Sequence, residues 1–302
     1  MLTEEAVGCV GEGFGTIAKN GKLTSLDGMK PTQSDKARRF RAFHDEPGIF
    51  IIPNPWDGGS ARLLEAGGFK ALATSSAAAA ATWGRQDYRL TRDEALAHVR
   101  AIVEATDLPV SADLENGFGH QPEDAAETIR RAAELGVVGG SIEDATGDDA
   151  KPLYELDRAV ERIKAAVEAA RALPFPFTLT ARTEGFCYPQ PNLADVIKRL
   201  QAYEQAGADV LFAPGLRTLA DVRAVCAALK KPVNFMNAMK GCAYSVDELA
   251  AVGVKRISLA ASLYRVAMTA LQGAAKEMLA TGKFGYVDRI MTSSELKPIL
   301  RE

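Results

Sequence analysis

The sequence predicts an α/β fold of one (β/α)8 TIM-type barrel, with an extension over residues 1–30 before it and helices at its C-terminal end. Three observations carry this prediction. Eight short apolar runs alternate with longer stretches in which apolar residues recur at i, i+3 and i+4. Four of the helix-to-strand joints share one punctuation, a glycine where the helical pattern ends and a buried run begins. Polar and charged residues gather just past the apolar runs, the end where such a barrel carries its functional groups.

Residues 1–30 are rich in Gly, Lys, Thr and Glu and show weak apolar periodicity. They hold none of the candidate residues below, so they read as an extension dispensable for chemistry. From Thr32 the pattern becomes regular. Strand runs lie at 49–53, 71–76, 110–115, 140–144, 177–182, 210–213, 233–237 and 256–260, with helical patterns between them, among them 92–104, 122–135, 156–170 and 193–206. The repeated joints are Glu65-Ala66-Gly67-Gly68, Glu134-Leu135-Gly136, Glu204-Gln205-Ala206-Gly207 and Ala251-Val252-Gly253. Eight strands in residues 31–302 favour a closed barrel over an open doubly wound sheet. No G-x-G-x-x-G follows the first strand, which counts against a dinucleotide fold. The stretch 263–279 is long and apolar on more than one face (Val266, Met268, Leu271, Met278). One barrel does not cover such a helix, so a homo-oligomer, a tetramer, is expected.

Composition narrows the partners. There are 36 basic and 39 acidic residues, a net charge of −3, and no basic block that would suit a nucleic acid. No apolar run is long enough to span a bilayer, and the N-terminus lacks the basic-then-apolar order of a secretory signal. A cytoplasmic protein without a membrane partner is the expectation. Cys9, Cys187, Cys226 and Cys242 show no C-x-x-C spacing and read as free thiols. His44, His98 and His120 are the only histidines, which argues against a multi-histidine metal centre.

The candidate site comes from three strand ends. Asp113 and Glu115 stand two apart on a predicted strand, so both side chains would share one face. Two such carboxylates repel unless a cation bridges them, and Glu143 ends the next strand. A hard, oxygen-ligated divalent cation, Mg²⁺ with Mn²⁺ as a substitute, and a small carboxylate substrate fit this cluster; a solvated acidic loop is the plain alternative. Arg182 ends a further strand, where a guanidinium recognises an anion or anchors the acids. Ser75, Ser76 and Ala77 are small enough to bring backbone N–H groups close to a substrate carboxylate. Asp87 precedes a helix that starts near Thr91; it would hold a water at the metal or pair with Arg85 or Arg89. Lys240 lies past a strand rather than on it, which disfavours a Schiff-base aldolase.

Over roughly residues 32–290 the chain resembles the isocitrate lyase/phosphoenolpyruvate mutase superfamily. The matching segments are Pro53-Asn54-Pro55-Trp56-Asp57, Asp113-x-Glu115-x-Gly117-Phe118-Gly119, Ile142-Glu143-Asp144 and Ala181-Arg182-Thr183-Glu184. The resemblance implies a Mg²⁺-dependent barrel that stabilises an enolate formed by breaking a C–C or P–C bond beside an oxo acid. It implies that Asp113 ligates the metal directly and that Asp87, Glu115 and Glu143 hold its waters. By the same resemblance Ser75, Ser76 and Ala77 clamp the substrate carboxylate, Arg182 steadies the enolate oxygen, and Asn234 lines the pocket. It further implies that a C-terminal helix is exchanged between subunits.

Two departures bear on the substrate. The isocitrate and methylisocitrate lyases of the family carry a cysteine-bearing gating loop after Ile-Glu-Asp; here that stretch is Ala145-Thr146-Gly147-Asp148-Asp149-Ala150-Lys151-Pro152. Those lyases also place a glutamate after the proline ending strand six, where this chain has Gly215. The asparagine-bearing loop of the phosphonate-forming mutases is missing as well. The expectation is a lyase that decarboxylates, or cleaves by retro-aldol reaction, a small 2-oxo or hydroxy acid. A phosphonate mutase or hydrolase is the alternative within the superfamily, and a dicarboxylate-binding barrel without turnover is the alternative outside it.

Overall fold

A computed structural model describes residues 30–300 of the chain. The expected extension, apart from Lys30, lies outside the described residues.

All eight predicted strands form. They are β1 (Phe50–Ile52), β2 (Leu72–Ala73), β3 (Val110–Asp113), β4 (Gly139–Glu143), β5 (Thr178–Arg182), β6 (Val210–Phe212), β7 (Val233–Met236) and β8 (Arg256–Ser258). Every ladder is parallel, in the order β1-β8-β7-β6-β5-β4-β3-β2. The seam between β1 and β2 is joined by the Ala73 N–H to the Pro53 carbonyl (3.0 Å) and by Asn54 Nδ2 to the Thr74 carbonyl (2.8 Å). The strands thus form a nearly closed barrel with helices outside it. The helices are α1 (Gln33–Asp45), α2 (Gly58–Ala66), α3 (Ser76–Thr82), α4 (Arg92–Ala105), α5 (Pro122–Glu134), α6 (Leu156–Arg171), α7 (Leu193–Gln205), α8 (Leu219–Ala228), α9 (Val246–Ala251), α10 (Ser262–Thr281) and α11 (Ser293–Leu296).

Local chemistry accounts for these elements. Helix α4 begins at Thr91, whose side chain accepts from the Glu94 N–H while Glu94 returns to the Thr91 N–H. Helix α5 starts with Pro122 and buries Ala125, Ala126, Thr128, Ile129, Ala132 and Ala133, one stripe facing the sheet. Gly68, Gly136, Gly207 and Gly253 of the repeated joints all have φ between 91° and 101°, the left-handed geometry that ends each helix before its strand. Three predicted strands end two or more residues early: β2 stops at Ala73 because Ser75 caps α3, β3 stops at Asp113, and β8 stops at Ser258.

Helix α1 covers the N-terminal ends of the strands. Ala37 and Phe40 join a buried cluster with Ile52, Ala71 and Val138, and Arg41 pairs with Asp209 just before β6 at 2.7 Å. Burying Phe40 is worth about 1.5–3 kcal/mol. The candidate site residues gather at the opposite, C-terminal ends of the strands.

Helix α10 buries none of its residues; Val266 is 65%, Leu271 60% and Leu279 90% exposed. No helix among the described residues is long and apolar enough to cross a membrane. Cys187, Cys226 and Cys242 are free thiols.

Candidate active site

A cavity of about 190 Å³ lies at the C-terminal ends of the strands. It is lined by Ser75, Ser76, Ala77, Asp87, Asp113, Arg182 and Asn234, so seven of the predicted site residues meet there. Glu115 and Glu143 stand behind that lining, both buried.

Asp113 ends β3. Its Oδ2 accepts from both the N–H and the Oγ of Ser76, each at 3.0 Å, and its Oδ1 accepts from Ser141 Oγ at 3.3 Å. Arg182 Nη1 lies 3.4 Å from the same Oδ1. Arg182 ends β5, opposite Glu143 on β4 in register. Its Nε donates to Glu184 and lies 3.2 Å from Glu143 Oε2, while the guanidinium stacks over Phe212 at 5.3 Å. Burial alone would weaken the Arg182 charge, but Glu143, Glu184 and Asp113 outweigh it and hold its pKa well above the usual arginine value.

The geometry corrects the expected origin of Glu115. The strand stops at Asp113, and Glu115 lies in the following loop with φ of 48°, in the left-handed region. It shares the site through this turn rather than through strand alternation. Burial, then the Asp113 and Asp87 charges, push its carboxyl up to about 8. Asp87 is also raised, by burial and then by Asp113. Of the two arginines weighed as its partners, Arg85 pairs instead with Glu94 at 2.8 Å. Burial, with Glu184 and Asp113 adding to it, raises Glu143 well above the carboxylate range against the pull of Arg182.

Five carboxylates, those of Asp87, Asp113, Glu115, Glu143 and Glu184, therefore crowd one guanidinium. Such an excess is costly in a buried site unless protons or a cation offset it. Among the described residues no group of three or more Asp, Glu, His or Cys side chains is arranged to hold an ion by itself. The oxygen-only donor set suits a hydrated hard cation that touches one carboxylate and meets the others through water.

The serines have work inside the chain. Ser75 Oγ accepts from the Ala78 N–H at 3.3 Å and caps α3, and Ser76 orients Asp113. Ser76 and Ala77 open α3, whose first N–H groups have no partner within the helix. Asn234 is buried and bridges Ser258 and Arg256, its Nδ2 donating to Ser258 Oγ at 2.9 Å. Lys240 is exposed on the loop past β7.

Three residues were not singled out from sequence. Glu184 holds Arg182, and its own N–H is fixed by buried Asp144 at 2.9 Å; its position in Ala181-Arg182-Thr183-Glu184 was the available signal. Tyr88, next to Asp87, donates its hydroxyl to Glu143 and is kept protonated by burial and by that charge. Arg256 begins β8 and lines the cavity, and a charge opening a short strand was its only mark.

The two departures are built into the structure. Residues 145–152 close on themselves through Thr146 N–H to the Pro152 carbonyl (2.9 Å) and Thr146 Oγ1 to the Lys151 carbonyl (2.6 Å), without a cysteine. Gly215 has φ of 91°, and a Cβ there would sit 2.8 Å from the Phe186 Cβ and carbonyl oxygen, so a glutamate cannot replace it without a backbone shift.

Comparison with known proteins agrees with this fold. The family described as "Phosphoenolpyruvate phosphomutase" matches residues 40–279. The "Probable 2-methylisocitrate lyase 2" of Corynebacterium glutamicum is 32% identical over 283 residues, 90% of this chain and 90% of the relative. An oxaloacetate decarboxylase of Bradyrhizobium diazoefficiens is 30% identical over 205 residues, 66% of this chain and 69% of that one. Among solved structures, a Burkholderia cenocepacia J2315 protein described as a "putative lyase/mutase" superposes with a TM-score of 0.86 at 52% identity, covering 88% of this chain and 95% of its own. The chain belongs to the phosphoenolpyruvate phosphomutase family, within the isocitrate lyase/phosphoenolpyruvate mutase superfamily.

Proposed function

We propose that this enzyme cleaves a C–C bond of a small 2-oxo or hydroxy acid through an enolpyruvate-type intermediate, with Mg²⁺ as cofactor. The observation that carries the reading is the guanidinium of Arg182 held by Glu143 and Glu184 at the edge of a carboxylate-rich cavity. Asp113 would ligate the ion directly, and Asp87, Glu115 and Glu143 would hold its hydration shell. When bound, the ion supplies positive charge next to the acid head of the substrate.

The chain's own residues do the rest. Ser75, Ser76 and Ala77 border the cavity and receive the substrate carboxylate at the start of α3. Arg182 faces the oxygen on which negative charge develops as the bond breaks, and two glutamates fix it in place before reaction. Decarboxylation needs no protein acid, because carbon dioxide leaves neutral and solvent returns the proton. Cleavage of isocitrate needs a proton delivered to the departing carbanion, and residues 145–152 contain no cysteine to deliver it. The description of the matching family favours a second reading, a phosphonate P–C bond enzyme.

The test is a screen of the purified protein with Mg²⁺, read by release of a pyruvate-type product. Oxaloacetate is expected to react, and isocitrate and methylisocitrate to give negligible product. Turnover confined to phosphonopyruvate supports the second reading. Robust isocitrate cleavage overturns the first, and ligand binding with no product from any of these acids leaves a binding barrel.

A further inference from the structure

Arg256 is 5% exposed, and its guanidinium crosses the barrel interior. Nε donates to Asn234 on β7 at 2.8 Å, Nη2 donates to Thr180 on β5 at 3.0 Å, and Nη1 faces Nε2 of His44 on α1 at 3.4 Å. All three partners are neutral. His44 Nδ1 lies 2.8 Å from the Phe40 carbonyl, which assigns its proton there and leaves Nε2 as an acceptor. No carboxylate among the described residues pairs with Arg256, and of its five N–H donors these contacts use three.

This cation lines the same cavity as Asp113 and Arg182. Arg182, Phe212, Asn234 and Arg256 follow one another in register across β5, β6, β7 and β8. Thr180, which Arg256 reaches, lies two residues below Arg182, about 6.6 Å along the strand. The cavity therefore has its acids and a paired arginine at the mouth and an arginine without a counter-charge at the floor. The spacing suits a short chain with an acidic group at each end. Asn234 is spent on orienting Arg256, which fixes the guanidinium ahead of any ligand.

We propose that Arg256 is the specificity-determining residue for a second anionic group of the substrate, held at the cavity floor beside Ser258. The inference rests on the reading of the Asp113–Arg182 end as the acid-head site. It narrows the substrates to short acids with two anionic groups.

Malate and lactate test it, since both carry a 2-hydroxy carboxylate head and only malate has the distal carboxylate. Both are titrated calorimetrically into the full-length protein with saturating Mg²⁺. The wild type is expected to bind malate at least about tenfold more tightly than lactate. Arg256→Met should bring malate to the level of lactate and leave lactate unchanged, and Arg256→Lys should keep part of the preference. Equal wild-type affinities overturn the proposal while leaving the head site intact. Equal weakening of both ligands in a folded Arg256→Met also overturns it, since that is a structural role. If the methionine variant does not fold, the wild-type comparison and the lysine variant decide. Absence of binding by either ligand overturns both this inference and the head-site reading.

Discussion

Both oxygens of Asp113 accept hydrogen bonds, so its carboxylate is oriented before any ligand arrives. Arg182 is oriented in the same way by Glu143 and Glu184. Arg182→Lys should therefore lower turnover about 10²- to 10³-fold and leave divalent-metal affinity nearly unchanged, because an ammonium cannot reproduce the fork. Steady-state rates beside a metal titration check this; wild-type turnover in the variant contradicts it. His44 gives a pH prediction away from the acids. Burial, then the charges of Arg256, Arg41 and Lys255, lower its pKa from 6.5 to about 3. An unfolded chain takes up this proton below about 6.5 and the folded one does not, so stability falls as pH drops from 6.5 toward 3. His44→Gln should flatten that fall in Tm; an unchanged slope refutes it. At this scale Asp113, Glu143 and Arg182 were legible because each ends an apolar run. Strand alternation does not account for Glu115, since a left-handed turn places it. The partnerless charge of Arg256 was invisible, because pairing depends on strands far apart in sequence.

The eight strands were legible because each is a short β-rich run between a helix-ending glycine or polar loop and the next cap. Their ends were less so: β2 is cut to two residues by the Ser75 cap, a local hydrogen bond that outcompetes strand pairing. Helix α10 was predicted to outrun the barrel, and it buries nothing. We propose that a second copy covers it in a homotetramer with exchanged helices. Wild-type protein at micromolar concentration should scatter light as an oligomer, and Val266→Asp with Leu271→Asp should shift it to a smaller species. These side chains are 65% and 60% exposed, so the barrel itself should fold unchanged. A monomeric wild type refutes this.

The molecule's polarity follows from its layering. Helix α1 packs Phe40 into a buried cluster at one end of the barrel, and the acid-rich cavity takes the other. Among the described residues the cavity lining begins at Ile52, and the candidate site residues all follow residue 30, so deleting residues 1–30 should change the rate by less than about tenfold, a barrier change of roughly 1.4 kcal/mol. Larger loss contradicts their dispensability. In the proposed function the carboxylate cluster is a divalent-cation site organised by Asp113. Titration of Mn²⁺ into wild-type and Asp113→Ala protein, followed by electron paramagnetic resonance, tests it most directly. The wild type should bind saturably, and a folded Asp113→Ala variant should lose that binding. Unchanged Mn²⁺ affinity in Asp113→Ala would contradict it.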